Sequence, residues 1–385
     1  MLDLQQALQQ RKQQSLYRCR LTLATPQSVR VRIDGKTYLS FCSNDYLGLA
    51  NHADIIQAFK DGLDRFGAGS GAAHLITGHS VAHQELEEQL AAFVGRPRAL
   101  LFSTGYMANL GVMDALLQQQ DCTIEDRLNH TSLLDGARLC GARLLRYRHN
   151  DMASLKRRLQ QVEKYPQRLL ATDAVFSMDG DSADLAAMQA AAQSSDSWLL
   201  VDDAHGFGVL GHQGRGSCDA QLSQSGIAIA DNTILMATLG KACGMAGAFV
   251  AASEDVIETL IQSARTYIYT TATPPAQAWA TSKALQLVQQ ADEQRTRLTE
   301  LITHFRRGAQ AHDLPLMPSA TPIQPLLVGS AEMAMQWSER LRTKGILITA
   351  IRPPTVPQGK ARLRITLSAQ HTLEDVDQLL DGLST

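Results

Sequence analysis

From about residue 80 onward the chain alternates short, continuous apolar runs with longer amphipathic stretches. The runs Ala99–Ser103, Thr123–Glu125, Arg143–Arg146, Leu169–Ala171, Trp198–Asp202, Thr233–Ala237 and Ala248–Ala251 have the length of strands and little polar alternation. That pattern predicts strands buried on both faces. Most are separated by enough chain for a crossover helix, as over Met107–Gln119 and Asp184–Ser194. The expected fold class is therefore α/β, with a large, mostly parallel sheet between layers of helices. Thr233–Ala237 and Ala248–Ala251 lie close enough in sequence to pair locally, so one antiparallel strand is expected.

The flanks read differently. Residues 1–50 form an arm: a helix, a strand pair turning at Asp34-Gly35, and an apolar segment ending at Asn44-Asp45-Tyr46. Residues 51–285 carry the α/β pattern. Residues 286–385 read as a smaller α+β domain, with strand-like runs Ile323–Val328, Ile346–Ile348 and Arg362–Thr366 between helices Ala331–Lys344 and Thr372–Leu383. A long helical stretch, about Ala276 to His312, follows Pro274-Pro275.

Composition narrows the functional classes. A chain of 385 residues exceeds what one core usually organises. A formal charge of −2 supplies no basic field, so neither nucleic acid nor a membrane surface is an expected partner. No apolar run is long enough to span a bilayer, and the opening MLDLQQALQQRKQQ lacks the apolar core of a secretory signal. The six cysteines are scattered without a CxxC pair, which leaves no disulfide framework or zinc spacing and suggests a reduced, cytoplasmic protein.

In an open parallel sheet, ligands collect at the carboxyl ends of the strands. Polar residues recur at those ends here: Thr104-Gly105-Tyr106, Asn129-His130, Ser177, Asp202 with His205, and Thr238 to Lys241. VDDAH (Val201–His205) and TLGKACG (Thr238–Gly244) make the strongest pair. A carboxylate closing a buried strand needs a cation, and a protonated pyridine nitrogen would serve. A lysine between Gly240 and Gly244 can approach a bound aldehyde, form an imine and act as a base. Singly, Asp202 reads equally as a helix cap and Lys241 as a solvated side chain. The glycine-rich GAGSG (Gly67–Gly71) follows a helix-like stretch, not a strand, and reads as a close-approach loop and not a dinucleotide fingerprint.

At this point the sequence resembles the α-oxoamine synthases, fold-type I enzymes dependent on pyridoxal 5′-phosphate (PLP). The likeness runs through SNDYLGL (Ser43–Leu49), FGAGSGAAHLITGHSVAHQELE (Phe66–Glu87), FSTGYMAN (Phe102–Asn109), DRLNHTSLLDG (Asp126–Gly136), VFSMDGD (Val175–Asp181), VDDAHGFGVLGHQGRGS (Val201–Ser217), TLGKACG and IRPPTVPQGKARLRITLSAQHT (Ile351–Thr372). It implies a seven-stranded PLP-binding domain, a smaller C-terminal domain and a homodimer. It also implies a decarboxylative Claisen condensation of an amino acid with an acyl thioester. His74 and the IRPPTVP segment lean toward the biotin-pathway member, which joins L-alanine to a pimeloyl group carried on coenzyme A or acyl-carrier protein.

By motif position, the resemblance gives Lys241 the imine and the proton transfers, Asp202 the pyridine nitrogen, and His205 the phenolic oxygen, with Ser177 nearby at the cofactor. His130 would stack on the ring. Gly105, Tyr106 and Thr238 would hold the phosphate, completed by Thr270 and Thr271 of a partner subunit. Arg352 would bind the substrate carboxylate, with Arg364 as runner-up; Arg18 and Thr355 would meet the acyl substrate, and Asn44 and Tyr46 would support the site. Phe207 stands where the family usually has a small hydroxyl residue, and is expected to reshape the pocket beside His205. Asp173 stands where the family commonly has a glutamate or an aspartate, a difference expected to cost little. Sister synthases share Lys241, Asp202 and His205, so the substrate pair stays open. A non-catalytic subunit of this fold and a nicotinamide-dependent oxidoreductase are the readings from other classes.

Overall fold

The computed structural model describes residues 3–384, which divide into two compact units. Asn51–Ser177 and Ser182–Asp292 form one. Met1–Ala50, Met178–Asp181 and Glu293–Thr385 form the other, so the arm and the C-terminal residues share a unit.

The larger unit is built on a sheet of seven strands. Their order is Arg98–Phe102, Ala248–Ala252, Thr233–Thr238, Trp198–Asp202, Arg168–Asp173, Cys122–Asp126 and Arg143–Tyr147. Only Ala248–Ala252 runs against its neighbours. All seven apolar runs of the sequence are strands. Six of them are buried along nearly their whole length because helices cover both faces, whereas Arg143–Tyr147, at the sheet edge, exposes Arg143 and Arg146. On one face Val112, Met113, Leu133, Ile257 and Leu260 from flanking helices pack with Leu100, Phe102 and Val250 of the sheet. On the other, Phe93 of the Val81–Val94 helix meets Phe207 edge-on, and Phe207 meets Phe249 edge-on in turn.

That arrangement corrects the expectation for Phe207. Its ring is 1% exposed and sits in the core, not beside His205 as a pocket wall. Burial of a ring this size contributes about 2 kcal/mol, so the departure from the family pattern acts on packing.

In the smaller unit, Arg30–Ile33 and Lys36–Ser40 form a hairpin whose turn residues Asp34 and Gly35 have φ of 48° and 78°. Both positive values give the turn a twist that suits paired strands. Ile346–Leu347 adds parallel to Lys36–Ser40, and then the chain leaves that sheet: Thr349–Ile351 pairs with Ala361–Thr366, which pairs with Ile323–Gly329. The single strand expected near Ile346–Ile348 is therefore two short strands in two sheets. Likewise the long helix expected over Ala276–His312 is two, Pro275–Gln289 and Asp292–Ala311, broken at the division between units. The arm is tied to the C-terminal residues by an Arg30–Asp375 ion pair at 2.6 Å and by Phe41 stacked on His371 at 4.3 Å. Among the described residues no helix is long and apolar enough to cross a membrane.

Glu125, in the Cys122–Asp126 strand, is fully buried, and one carboxyl oxygen has no hydrogen-bond partner among the described residues. Burial raises its pKa to about 7. The folded protein then holds a proton that the unfolded chain, titrating near the ordinary value, releases. Its contribution is full below about pH 4.5 and is lost as pH rises to 7, on the order of 3 kcal/mol in all. Glu125→Gln should accordingly gain on the wild type between pH 5 and pH 8 in denaturant unfolding. An unchanged gap between the two proteins across that range would refute the assignment.

Candidate active site

The parallel register sets acidic strand ends side by side. Asp202 closes Trp198–Asp202, and Asp173, its register partner, closes Arg168–Asp173. Asp202 is 5% exposed. Its carboxylate is met by neutral donors: Asn109 Nδ2 at 2.7 Å and the Ala204 N–H at 3.1 Å. A buried carboxylate compensated only by neutral dipoles is poised for a cation.

The same Asn109 Nδ2 donates to Ser132 Oγ at 2.8 Å. Ser132 Oγ lies 2.7 Å from His130 Nδ1, and His130 caps the Thr131–Cys140 helix by accepting from the Ser132 N–H at 3.3 Å. The backbone N–H of His130 donates to Asp173 Oδ1 at 3.1 Å. A chain of side chains thus runs from Asp202 through Asn109 and Ser132 to His130, and returns through Asp173 to the strand beside Asp202. Asn129 fastens the loop by donating to Ala171 O at 2.8 Å and accepting from the Asp173 N–H at 3.2 Å.

Electrostatics follow from this crowding. Burial, together with the charge of Asp202, raises the Asp173 pKa well above the carboxylate range. The His130 pKa is lowered, chiefly by desolvation and then by Lys241, with Asp202 opposing. A neutral His130 is the form suited to lie on an aromatic ring. Asp173 Oδ1 holds the His130 loop in place by accepting from the His130 N–H.

Lys241 follows the Thr233–Thr238 strand, the neighbour of Trp198–Asp202. Its Nζ lies 2.9 Å from His205 Nε2. Thr238 Oγ1 donates to Gly247 O at 3.0 Å and accepts from the Gly240 N–H at 3.3 Å, which fixes the turn before Lys241. Gly105 and Tyr106 open the Gly105–Leu116 helix, whose cap Thr104 accepts from the Met107 N–H at 3.1 Å. This leaves a helix N-terminus of the kind that binds phosphate. The Tyr106 hydroxyl donates to Asp135. Ser177 is half-buried beyond the Arg168–Asp173 strand. Thr270 and Thr271 stand apart from this array: Thr271 bridges to Ala73, and Ser70 Oγ donates to Ala272 O and Thr273 O at 2.7 Å. The Gly67–Gly71 loop is therefore stitched to the Thr270–Thr273 segment.

The remaining predicted residues lie in the smaller unit. Arg18 donates to Thr355 Oγ1 at 3.5 Å, and Arg352 donates to Tyr17 O at 2.7 Å. Arg364, 7% exposed, donates to Thr366 Oγ1 at 2.9 Å and to Asn44 Oδ1 at 3.0 Å. The Tyr46 hydroxyl is 3.3 Å from the same Asn44 oxygen, and burial pushes its pKa up to about 12.

A buried acid awaiting a cation, a lysine on a histidine and a phosphate-competent helix start agree with the family relationships of the sequence. Residues 36–383 match the family model for aminotransferase class I and II. The chain belongs to that family. Its cofactor is PLP, and the Asp202 carboxylate with its neutral donors fits the protonated nitrogen of that ring. An 8-amino-7-oxononanoate synthase of Nitrosococcus oceani is 58% identical over 376 residues, covering 98% of each chain. One from Pseudomonas putida is 54% identical, over 99% of this chain and 96% of its own. Among solved structures, a serine palmitoyltransferase from S. paucimobilis with a bound PLP–myriocin aldimine superposes with a TM-score of 0.92 at 29% identity, covering 99% of this chain and 96% of its own. An 8-amino-7-oxononanoate synthase from Francisella tularensis gives 0.78 at 32% identity, over 90% and 97%.

Asn109, Ser132 and Asp173 lie in or beside the family motifs, yet their roles appear only once the strand ends are brought together. Loss of Asn109 should be felt at both Asp202 and His130. Asn109→Ala is expected to weaken PLP binding by about tenfold, the equivalent of about 1.4 kcal/mol, as read by equilibrium titration of the apoprotein. An unchanged dissociation constant would show that Asn109 does not support the Asp202 carboxylate.

Proposed function

We propose that this protein joins L-alanine to a pimeloyl thioester, giving 8-amino-7-oxononanoate, CO2 and the free thiol of coenzyme A or acyl-carrier protein. What carries the reading is full-length identity of 54–58% to 8-amino-7-oxononanoate synthases, joined to the Lys241–His205 and Asp202–Asn109 pairs. A bond forms between the alanine Cα and the thioester carbonyl carbon, the C–S bond breaks, and the Cα–carboxylate bond breaks to release CO2. Bound PLP supplies the electron sink for negative charge at Cα. Lys241 Nζ removes the Cα proton and later returns one, with His205 Nε2 fixing the position of that amine. Asp202 holds the ring nitrogen protonated. His130, kept neutral and capped onto its helix, packs on the ring and restricts water at the reacting face.

Arg364 is the stronger candidate for the substrate carboxylate, because Asn44 and Thr366 already fix its guanidinium plane, and a fixed fork suits a carboxylate. Arg352, favoured by motif position, donates to the arm at Tyr17 O and, with Arg18 and Thr355, is assigned to the acyl substrate. Leu75, Ile76 and Tyr269 are 48%, 74% and 73% exposed around the Ala73–Thr271 bridge. A second copy of the chain would cover them and receive Thr270 and Thr271 at its phosphate. The six free thiols suit the cytoplasm.

Purified holoenzyme given L-alanine and pimeloyl-CoA should release CO2 and thiol in equal amounts, and Lys241→Ala should abolish release. Turnover with glycine and a short acyl-CoA, and none with alanine, would move the protein to a sister synthase. Arg364→Ala should raise KM for alanine at least tenfold, while Arg352→Ala should leave it within about threefold and raise KM for the thioester. The reverse pattern would exchange the two assignments.

A further inference from the structure

Next to the acid assigned to the cofactor lies a second one that the reaction does not use. Asp203 is completely buried. Its Oδ2 accepts from the Ser217 N–H at 2.7 Å and its Oδ1 from the Ser217 hydroxyl at 2.6 Å. Its own N–H donates to Met236 O at 2.7 Å, on the strand that leads to Lys241, and its carbonyl accepts from the Phe207 N–H at 3.0 Å. Residue 203 therefore joins three things: the strand before Lys241, the turn bearing His205, and the start of the Ser217–Gln221 helix.

Glycines on either side allow this convergence. A Cβ on Gly206 would stand 2.1 Å from Ser217 Oγ and 2.2 Å from Asp203 Oδ1. On Gly216, where φ is 105°, it would stand 2.2 Å from Asp203 Oδ2. The chain thus wraps the carboxyl group on both sides without side chains to hold it off. Between the two glycines, Gly208 N–H bonds to Gly214 O and Gly216 N–H to Leu210 O, both at 2.8 Å, so the loop closes on itself. His205 is the product of this construction: buried at 7% exposure, it leaves the loop one residue before Gly206 and its Nε2 lies 2.9 Å from Lys241 Nζ.

We propose that the Asp203–Ser217 pair is a positioning device for His205, and through it for Lys241. The inference rests on the roles given above to His205 and Lys241, and it does not depend on which amino acid or thioester is the substrate. Both members of the pair are fully buried and bonded to each other. The pair sets the turn that aims the imidazole, much as an outer carboxylate orients a ligating histidine in a metal site. Asp203 must act as an acceptor toward two donors on one residue, so an amide at this position turns an NH2 toward the Ser217 N–H or the Ser217 hydroxyl.

The test uses the holoenzyme and three variants: Ser217→Ala, which keeps the backbone bond, Asp203→Asn, and His205→Asn. Ser217→Ala should fold, lower kcat about threefold to tenfold, leave both KM values within about twofold, and weaken PLP binding to the apoprotein. Asp203→Asn should do the same more strongly. In the His205→Asn background, Ser217→Ala should have no further effect on kcat or on PLP affinity, because its route of action is gone. Equal effects of Ser217→Ala with and without His205 would overturn the proposal, as would a Ser217→Ala enzyme with lowered Tm and unchanged kcat and PLP affinity. If Asp203→Asn fails to fold, the Ser217→Ala cycle still decides. PLP affinity is read without turnover, so these outcomes stay separable from an error in the proposed substrates.

Discussion

The structure depends on placing a carboxylate at the end of a strand that is buried on both sides. Asp202 can be tolerated there only if its charge is compensated, since an isolated ion in such surroundings costs several kcal/mol. The fold supplies half of that compensation in advance, through the Asn109 amide and the Ala204 N–H. Neutral dipoles lower the cost without cancelling the charge, so the site keeps a net attraction for a cation. In the proposed arrangement a protonated pyridine ring would supply it, and the cofactor would in turn be held in the electronic form it needs.

That constraint spreads outward through shared partners. Asn109 serves Asp202 and Ser132 with one nitrogen, so the orientation that satisfies the acid also fixes the cap of the helix after His130. Asp173 stands one strand over, where burial first and the neighbouring Asp202 second raise its pKa, and its Oδ1 accepts from the His130 N–H. Two adjacent carboxyl groups are thereby given different partners. One accepts from the Asn109 amide and the Ala204 N–H, the other from the backbone of His130. Asp203 extends the scheme: burial raises its pKa to about 7 while the Ser217 bonds oppose that rise. Three acids, Asp173, Asp202 and Asp203, at the ends of two neighbouring strands, thus meet different partners because their surroundings differ.

Much of this frame is legible in the sequence, for a physical reason. Strands covered on both faces are continuous apolar runs, and all seven of the large sheet appear as such within a residue or two. Because a parallel sheet binds at its carboxyl edge, polar residues just after the runs could be named in advance, among them Asp202, His205 and Lys241. The break at Gln290-Ala291 carries no glycine or proline to mark it, and the passage of Thr349–Ile351 into another sheet depends on pairing partners distant in sequence. Phe207 was misread because a motif position says nothing about which way a side chain points once the loop closes. Its ring turns away from His205 to meet Phe93 and Phe249.

The roles of Asn109, Asp173 and Asp203 were hidden for a related reason. Each acts through hydrogen bonds to residues separated from it by as little as 14 and as much as 93 positions. Residue type at one position restricts what can be donated or accepted, but the partner is chosen by topology. Within the VDDAH motif the first acid and the histidine announce themselves because their chemistry toward a pyridine ring can be named. The middle acid, identical in type to its neighbour, faces inward by the alternation of an extended chain. Inward means toward Ser217 and away from the ligand edge, and a carboxyl group there can influence the reaction only by shaping the turn between itself and His205.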